Sequence, residues 1–334
     1  IANLNNNILT ISEGELNSEV IEGEFSGRRN LEDQSDPLNK FNLDMQIKNL
    51  QPLASLVGAQ TLSASGTVTG NVTEITPGNL LFDGGIQLND INYDTLFYAN
   101  SISGNTKISI QDQYGYDFSL NITEPTFNDL SLQDISLSTL GTASPDSVSG
   151  NFNLDISSDD AGKISQSGNF GVSLESLKTH ILWNTFTFQT PASLLSLQAP
   201  FNLTYQDASI QTDTLVLSSD DGTYMSLAIP YADSLNQEAW ASGRDFNFGV
   251  IQEILFDERF VDGILSGNLS FKNSPEELSG DGQFTVDNLV YKGTNVDVLD
   301  LEYYIASKRL KAELGLIMNG EEKVYGNLDI PFVP

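Results

Sequence analysis

The sequence predicts an all-β protein laid out as antiparallel sheet. Three observations carry that expectation. Apolar and polar residues alternate with a period of two through most of the chain. Polar turn clusters separate the alternating runs. Two β blocks recur at an almost constant separation. Alternation of this kind gives each strand one apolar face and one wet face, which is the pattern of antiparallel sheet.

Taken in order, the first clear run is Phe41, Leu43, Met45 and Ile47. Phe118, Leu120 and Ile122 follow, then Phe152, Leu154 and Ile156, then Phe170, Val172 and Leu174. The last stretch is the longest: Leu310, Ala312, Leu314, Leu316 and Met318, then Val324, Leu328 and Ile330. Asn319-Gly320 between two such runs is a hairpin signal, because both residue types accept the left-handed backbone of a tight turn. Asp159-Asp160-Ala161-Gly162 and Asp220-Asp221-Gly222 read as turns; they lack the spaced oxygen ligands of a calcium loop. Pro125, Pro145, Pro200, Pro230 and Pro275 fall between strand patterns. Three short helices are expected, at Pro52 to Val57, Pro191 to Leu197 and Val250 to Phe260, each a plug or buttress on the sheet. Arg28 to Asn39 reads as an exposed loop. At about 12 residues per strand and turn the chain holds roughly 28 strands, and a single sheet of that size would be an elongated rod of roughly 130 Å.

The echo joins Ala64-Ser65-Gly66-Thr67-Val68-Thr69-Gly70-Asn71-Val72 to Val261-Asp262-Gly263-Ile264-Leu265-Ser266-Gly267-Asn268-Leu269, 197 residues later. Gly84-Gly85-Ile86-Gln87-Leu88 is answered by Gly282-Gln283-Phe284-Thr285-Val286, 198 residues later. We read the 334 residues as one continuous repeat-built structure with units near 1–185 and 186–334. Stacked β repeats place function in an extended surface.

Composition bounds the rest. Fifteen basic residues face forty-five acidic ones, a net charge of −30, and the chain repels nucleic acid and anionic lipid head groups at long range. There is no cysteine, hence no disulfide, thiolate metal site or cysteine nucleophile. His180 is the only histidine, sits in a strand-like context, and reads as a surface residue. No phosphate loop or dinucleotide fingerprint is present. We therefore expect no enzyme, no metal and no cofactor. No run of about 20 apolar residues exists, so no helix is expected to span a membrane. Ile1 and Pro334 read as the ends of a piece cut from a longer protein, in which further strands of the same chain would be neighbours.

What remains is the apolar face, which a second sheet, helices, curling of the sheet, or a ligand must cover. A closed sandwich core and an open groove are both compatible with the parity. The candidate lining is Val68, Val72, Ile86, Leu88 and Ile91 in the first unit. In the second it is Leu265, Leu269, Phe271, Phe284, Val286, Leu289, Tyr291, Leu301, Tyr303, Leu314, Leu316, Leu328 and Ile330.

The short apolar segment Val250 to Phe260, the step Gly263-Ile264-Leu265-Ser266-Gly267-Asn268 and the Gly-opened strand after Ser274-Pro275 together resemble the AsmA-like superfamily. Within it the likeness is to the TamB translocation-and-assembly-module family, most clearly over 186–331. The resemblance implies a U-shaped, taco-like antiparallel sheet with an apolar groove. It implies a periplasmic bridge in a diderm bacterium, anchored in the inner membrane in its full-length form, with phospholipid acyl chains carried in the groove. It also implies a part in outer-membrane protein assembly, with an outer-membrane β-barrel as partner. The other function class we weighed is a surface adhesin or glycan-binding β-sandwich protein.

Overall fold

The computed structural model describes residues 1–33, 36, 38–76, 79–110, 113–127, 130–158, 162–189, 194–247, 261–291, 293–306 and 309–331. Among these it contains 25 strands, every pairing antiparallel, and one 3₁₀ helix, Gln51–Val57. The strands are fewer than the roughly 28 expected because several run to 13–15 residues. The chain separates into two compact units, Ile1–Asp159 and Asp160–Pro334.

The first unit holds β1 (Ala2–Asn5), β2 (Ile8–Asn17), β3 (Ile21–Asn30), β4 (Lys40–Ile47), β5 (Leu62–Thr76), β6 (Asn79–Tyr93), β7 (Phe97–Ile110) and β8 (Tyr114–Thr123), then the two-residue β9 (Thr126–Phe127) and β10 (Leu130–Ser131), then β11 (Asp134–Ala143) and β12 (Ser147–Ser158). Each strand from β1 to β8 pairs with the next, and β8 pairs with β11, which pairs with β12. The buried Pro125 stops β8, and β9 resumes the pairing on β7, where Phe97 and Phe127 stack at 4.8 Å.

The second unit holds β13 (Gly162–Ser173), β14 (Thr179–Gln189), β15 (Leu194–Leu197), β16 (Phe201–Gln206), β17 (Ser209–Thr212), β18 (Leu215–Ser218), β19 (Tyr224–Ala232), β20 (Gln237–Asn247), β21 (Val261–Asn273), β22 (Leu278–Tyr291), β23 (Thr294–Ala306), β24 (Arg309–Met318) and β25 (Glu321–Pro331). From β19 to β25 it is a simple meander. Between β14 and β19 two ranks are each split, β15 with β16 and β17 with β18, both pairs bonded to the same neighbours.

The turns follow residue chemistry. Asn6-Asn7, Asp207-Ala208 and Asn319-Gly320 each close a two-residue hairpin with both φ values positive, the primed turn that matches strand twist. Asp221 accepts from the Thr223 N–H at 2.9 Å and so builds its own turn, with Gly222 at φ 96.

Three readings of the sequence change. The helix expected at Pro191 to Leu197 does not hold over its described part: Leu194–Leu197 is β15, because Leu195 and Leu197 belong to the apolar face and pair across to Phe188 and Leu217, and Pro191 to Ser193 lie outside the described residues. The helix expected at Val250 to Phe260 lies outside the described residues. Arg28 to Asn39 is not simply an exposed loop. Arg28, Arg29 and Asn30 complete β3, and Asn39 is 2% exposed, accepting from Asn30 N–H at 2.6 Å and donating to the Asp33 carbonyl at 3.1 Å. Arg28 and Arg29 are drawn in by Asp36 and Glu74, each at 3.0 Å. Pro230 lies inside β19, at the register shift between Ala228 and Tyr231, where its missing N–H breaks no ladder bond. The expected helix at Pro52 to Val57 is present as the 3₁₀ segment. It buries Ala54 and ends at Gly58, φ 74, whose N–H donates to Ser55.

Candidate functional site

Register converts the alternation into two faces. In the first unit one cross-strand row reads Gly23, Met45, Val68, Ile86, Gly104, Leu120, Leu137, Leu154. The next residue along each strand, on the opposite face, reads Glu24, Asp44, Thr69, Gly85, Asn105, Ser119, Ser138, Asn153. In the second unit one row reads Leu197, Leu217, Met225, Gly243, Gly267, Phe284, Leu301, Leu314, Gly326. Its polar counterpart reads Ser226, Ser242, Asn268, Gln283, Glu302, Glu313, Asn327. Pleat geometry thus gathers most of each unit's apolar side chains on one sheet face, with exceptions such as Leu140, which stands opposite Asp117 and Asn151 on the other.

The candidate lining residues fall on these faces. Val68 pairs with Ile86, Val72 with Phe82, and Leu88 with Gly66 and Ile102. Leu265 pairs with Val286, Phe284 with Leu301, Leu269 with Gly282, and Phe271 with Gly280. Leu314 pairs with Leu301, Leu316 with Leu299, Tyr303 with Ala312, Leu328 with Ala312, and Ile330 with Leu310. The Tyr303 hydroxyl donates to the Ser270 carbonyl at 3.0 Å, and burial, then Asp281, push its pKa up.

Ile91, Leu289 and Tyr291 break the parity, and the backbone explains how. Asp90 and Asn288, 198 residues apart, are left-handed, with φ 51 and 52. That conformation lets Ile91 pack with Leu88, Ile102 and Ala99 although it is three residues from Leu88. Leu289 follows Asn288 in the same way and pairs with the buried Val296, as Ile91 pairs with the buried Ala99. Tyr291 ends β22, exposed, opposite Val261 and Thr294.

Aromatic rings cover glycines of their own or neighbouring strands. A Cβ placed on Gly84 would fall 2.6 Å from Phe82 Cζ, and one on Gly70 would fall 2.8 Å from its Cε2. Phe25 covers Gly14, Phe41 covers Gly27, Tyr116 covers Gly141 and Gly150, and Tyr303 covers Gly282. This cross-strand cover protects glycines that would otherwise weaken the sheet.

The faces are open. Only twelve hydrophobic core side chains among the described residues are buried, and Leu269, Val324, Leu328 and Ile330 stay exposed. The chain exposes 19590 Å². One covered patch groups Phe188, Leu195, Leu217 and Phe246 with Ile164, Phe186, Leu197, Leu215 and Met225.

Two concavities contrast. On the polar face of the first unit a crease of about 540 Å³ runs between Glu24, Asn42, Asp44, Thr69, Asn71, Asp83 and Asn105. It is wide, solvent-exposed and acidic. On the apolar face of the second unit a cavity of about 280 Å³ is lined by Met225, Ala241, Gly243, Phe246, Leu265, Gly267, Leu269 and Phe284, with Ser242 and Asn268. Leu265, Leu269 and Phe284 were visible in the sequence. Gly243 and Ala241 leave too little side chain to mark the alternation, and Gly267 enters the sequence reading only as part of the echo.

His180 lies exposed on β14, opposite Gly171 and Thr204. Among the described residues no group of three or more His, Asp or Glu is placed to hold a metal ion, and no helix is long and apolar enough to cross a membrane. Comparison with protein-family models, with curated proteins and with solved structures finds no match for the chain.

Proposed function

We propose that this chain is a segment of a periplasmic bridge that carries phospholipid acyl chains along its apolar β faces, between the inner and outer membranes of a diderm bacterium. In this reading it is a TamB-like member of the AsmA-like superfamily with a part in outer-membrane protein assembly, and it works as a conduit without catalysis. The observation that carries the reading is the row of apolar side chains, interrupted only by glycines, that runs strand to strand in each unit beside a predominantly polar row on the opposite face. Hydrocarbon gains about 0.8 kcal/mol per buried CH₂ on such a surface. A lining without charges or directed donors holds no one position along the row, which suits movement. The acidic outer face keeps the structure in water and away from anionic membranes.

Photo-reactive residues at Leu316 and Leu328 should capture phospholipid in cells, and the same residues at Glu313 and Asp329, on the opposite face, should not. Native mass spectrometry of the purified protein should show co-purifying lipid. Specific sugar binding with no lipid at either pair of positions would overturn the reading in favour of a glycan-binding protein.

A further inference from the structure

We propose that the cavity on the apolar face of the second unit is a dwell site for the end of a single acyl tail. The proposal rests on the reading that the apolar faces bind acyl chains.

The argument starts from the repeat. Gly70 and Gly267 occupy the same place in the two copies, 197 residues apart. In the first copy Gly70 faces Gly84, and the ring of Phe82 lies over both. In the second copy the residue 198 after Phe82 is Gly280, so that ring is absent. The pairing has also moved by two residues, which brings Phe284 opposite Gly267, its Cβ 2.7 Å from where a Gly267 Cβ would stand. Phe284 therefore stands on the β22 side of Gly267. On the other side β20 bulges between Gly243 and Phe246. A Cβ on Gly243 would meet nothing closer than the Tyr224 carbonyl oxygen at 3.5 Å. What the first copy fills with Phe82, the second leaves as a hole of about 280 Å³.

The lining fixes the chemistry of the occupant. Ser242, the polar residue beside Gly243, hydrogen-bonds Ser226 at 2.7 Å, and both belong to the polar row. Asn268 is exposed in that same row. No charged side chain lines the cavity, so a head group would be desolvated there without compensation. A tail fits by length as well. Leu269, on the near wall of the cavity, stands four residues from Asn273 at the end of β21, roughly 14 Å at about 3.4 Å per residue. Half of a hydrocarbon core of about 30 Å is a tail of about 15 Å. A tail laid over Phe271 and Leu269 from the strand end reaches the hole while its head group stays at the polar rim.

The test uses the whole chain and vesicles of phosphatidylcholine carrying a diazirine near the end of one tail. Adducts are expected to concentrate on Met225, Phe246, Leu265 and Phe284. Gly243→Leu, which fills the hole from an unstrained position, should lower those adducts about tenfold, the effect of losing roughly two buried methylenes. It should leave adducts at Leu314 and Leu316 and the thermal unfolding curve unchanged. Ala241→Leu enters the same cavity from the neighbouring row and replaces the first variant if that one does not fold. Adducts spread evenly along the face and indifferent to both variants would overturn the dwell site and leave tail binding intact. Adducts nowhere on the face would remove the reading on which the proposal rests, and the proposal with it.

Discussion

A carboxylate placed at two points of one apolar face distinguishes an open surface from a closed core. Val286 is 6% exposed and packed between Leu265 and Leu299, whereas Leu328, on the same face, is 47% exposed. Val286→Asp sets a charge where no counter-ion is placed to meet it. Such a buried, unpaired charge costs about 3–5 kcal/mol. Leu328→Asp keeps its charge in reach of water and forfeits only half of a leucine's burial, about 1 kcal/mol of the 1.5–3 for a fully buried side chain. A body of 150–250 residues shifts its Tm by about 2–4 °C per kcal/mol. Calorimetry should therefore find a loss of roughly 6–20 °C for Val286→Asp and roughly 2–4 °C for Leu328→Asp. Leu328→Asp should also reduce hydrocarbon binding far more than it reduces stability. If it unfolds the protein as severely as Val286→Asp does, the face is covered by the protein itself and the open-surface argument is wrong.

Three further outcomes are expected. Gly66→Ala would drive a Cβ into the Gln87 carbonyl oxygen, a backbone atom that cannot step aside, and should cost about 1–3 kcal/mol in urea denaturation. Gly243→Ala meets open space, and its loss of unfolded-state freedom should leave stability unchanged or raise it by up to about 1 kcal/mol. In the turn between β19 and β20 the Asp233 carboxyl is lowered from 3.8 to about 2 by the Asn236 N–H, the Tyr231 hydroxyl and the Leu235 N–H. A depressed carboxyl stabilises fully above its unfolded value, so this contribution should persist above about pH 4 and vanish as the pH falls through about 2. An NMR titration of Asp233 that follows an ordinary carboxylate curve would contradict that order.

The class of fold was legible because period two is a direct imprint of the pleat. Phe41 to Ile47, Phe118 to Ile122 and Leu310 to Leu316 each fall on one face. The Asn319-Gly320 hairpin was legible for a local reason, the tolerance of both residues for positive φ. Register was not, because pairing depends on partners far along the chain. Pro191 to Leu197 reads as helix from its own residues, and only the pairing of Leu195 with Phe188 and of Leu197 with Leu217 makes its described part a strand. Arg28 and Arg29 looked like a loop because their partners, Asp36 and Glu74, lie up to 45 residues away. The cavity escaped notice for the opposite reason to its walls: it is made where side chains are missing.

The shift of pairing between the two copies has an evolutionary corollary. A ladder that slides by two residues exchanges neighbours but keeps every side chain on its own side, so copies of this β unit can drift in even steps without inverting what they present to solvent. A single-residue change would turn a strand inside out. Asp90 and Asn288 show how the chain absorbs an odd step, by spending one left-handed residue to restore the count. Copies of such a unit are free to diverge in length by pairs. An unpaired insertion survives only beside an Asn, Asp or Gly able to take that turn.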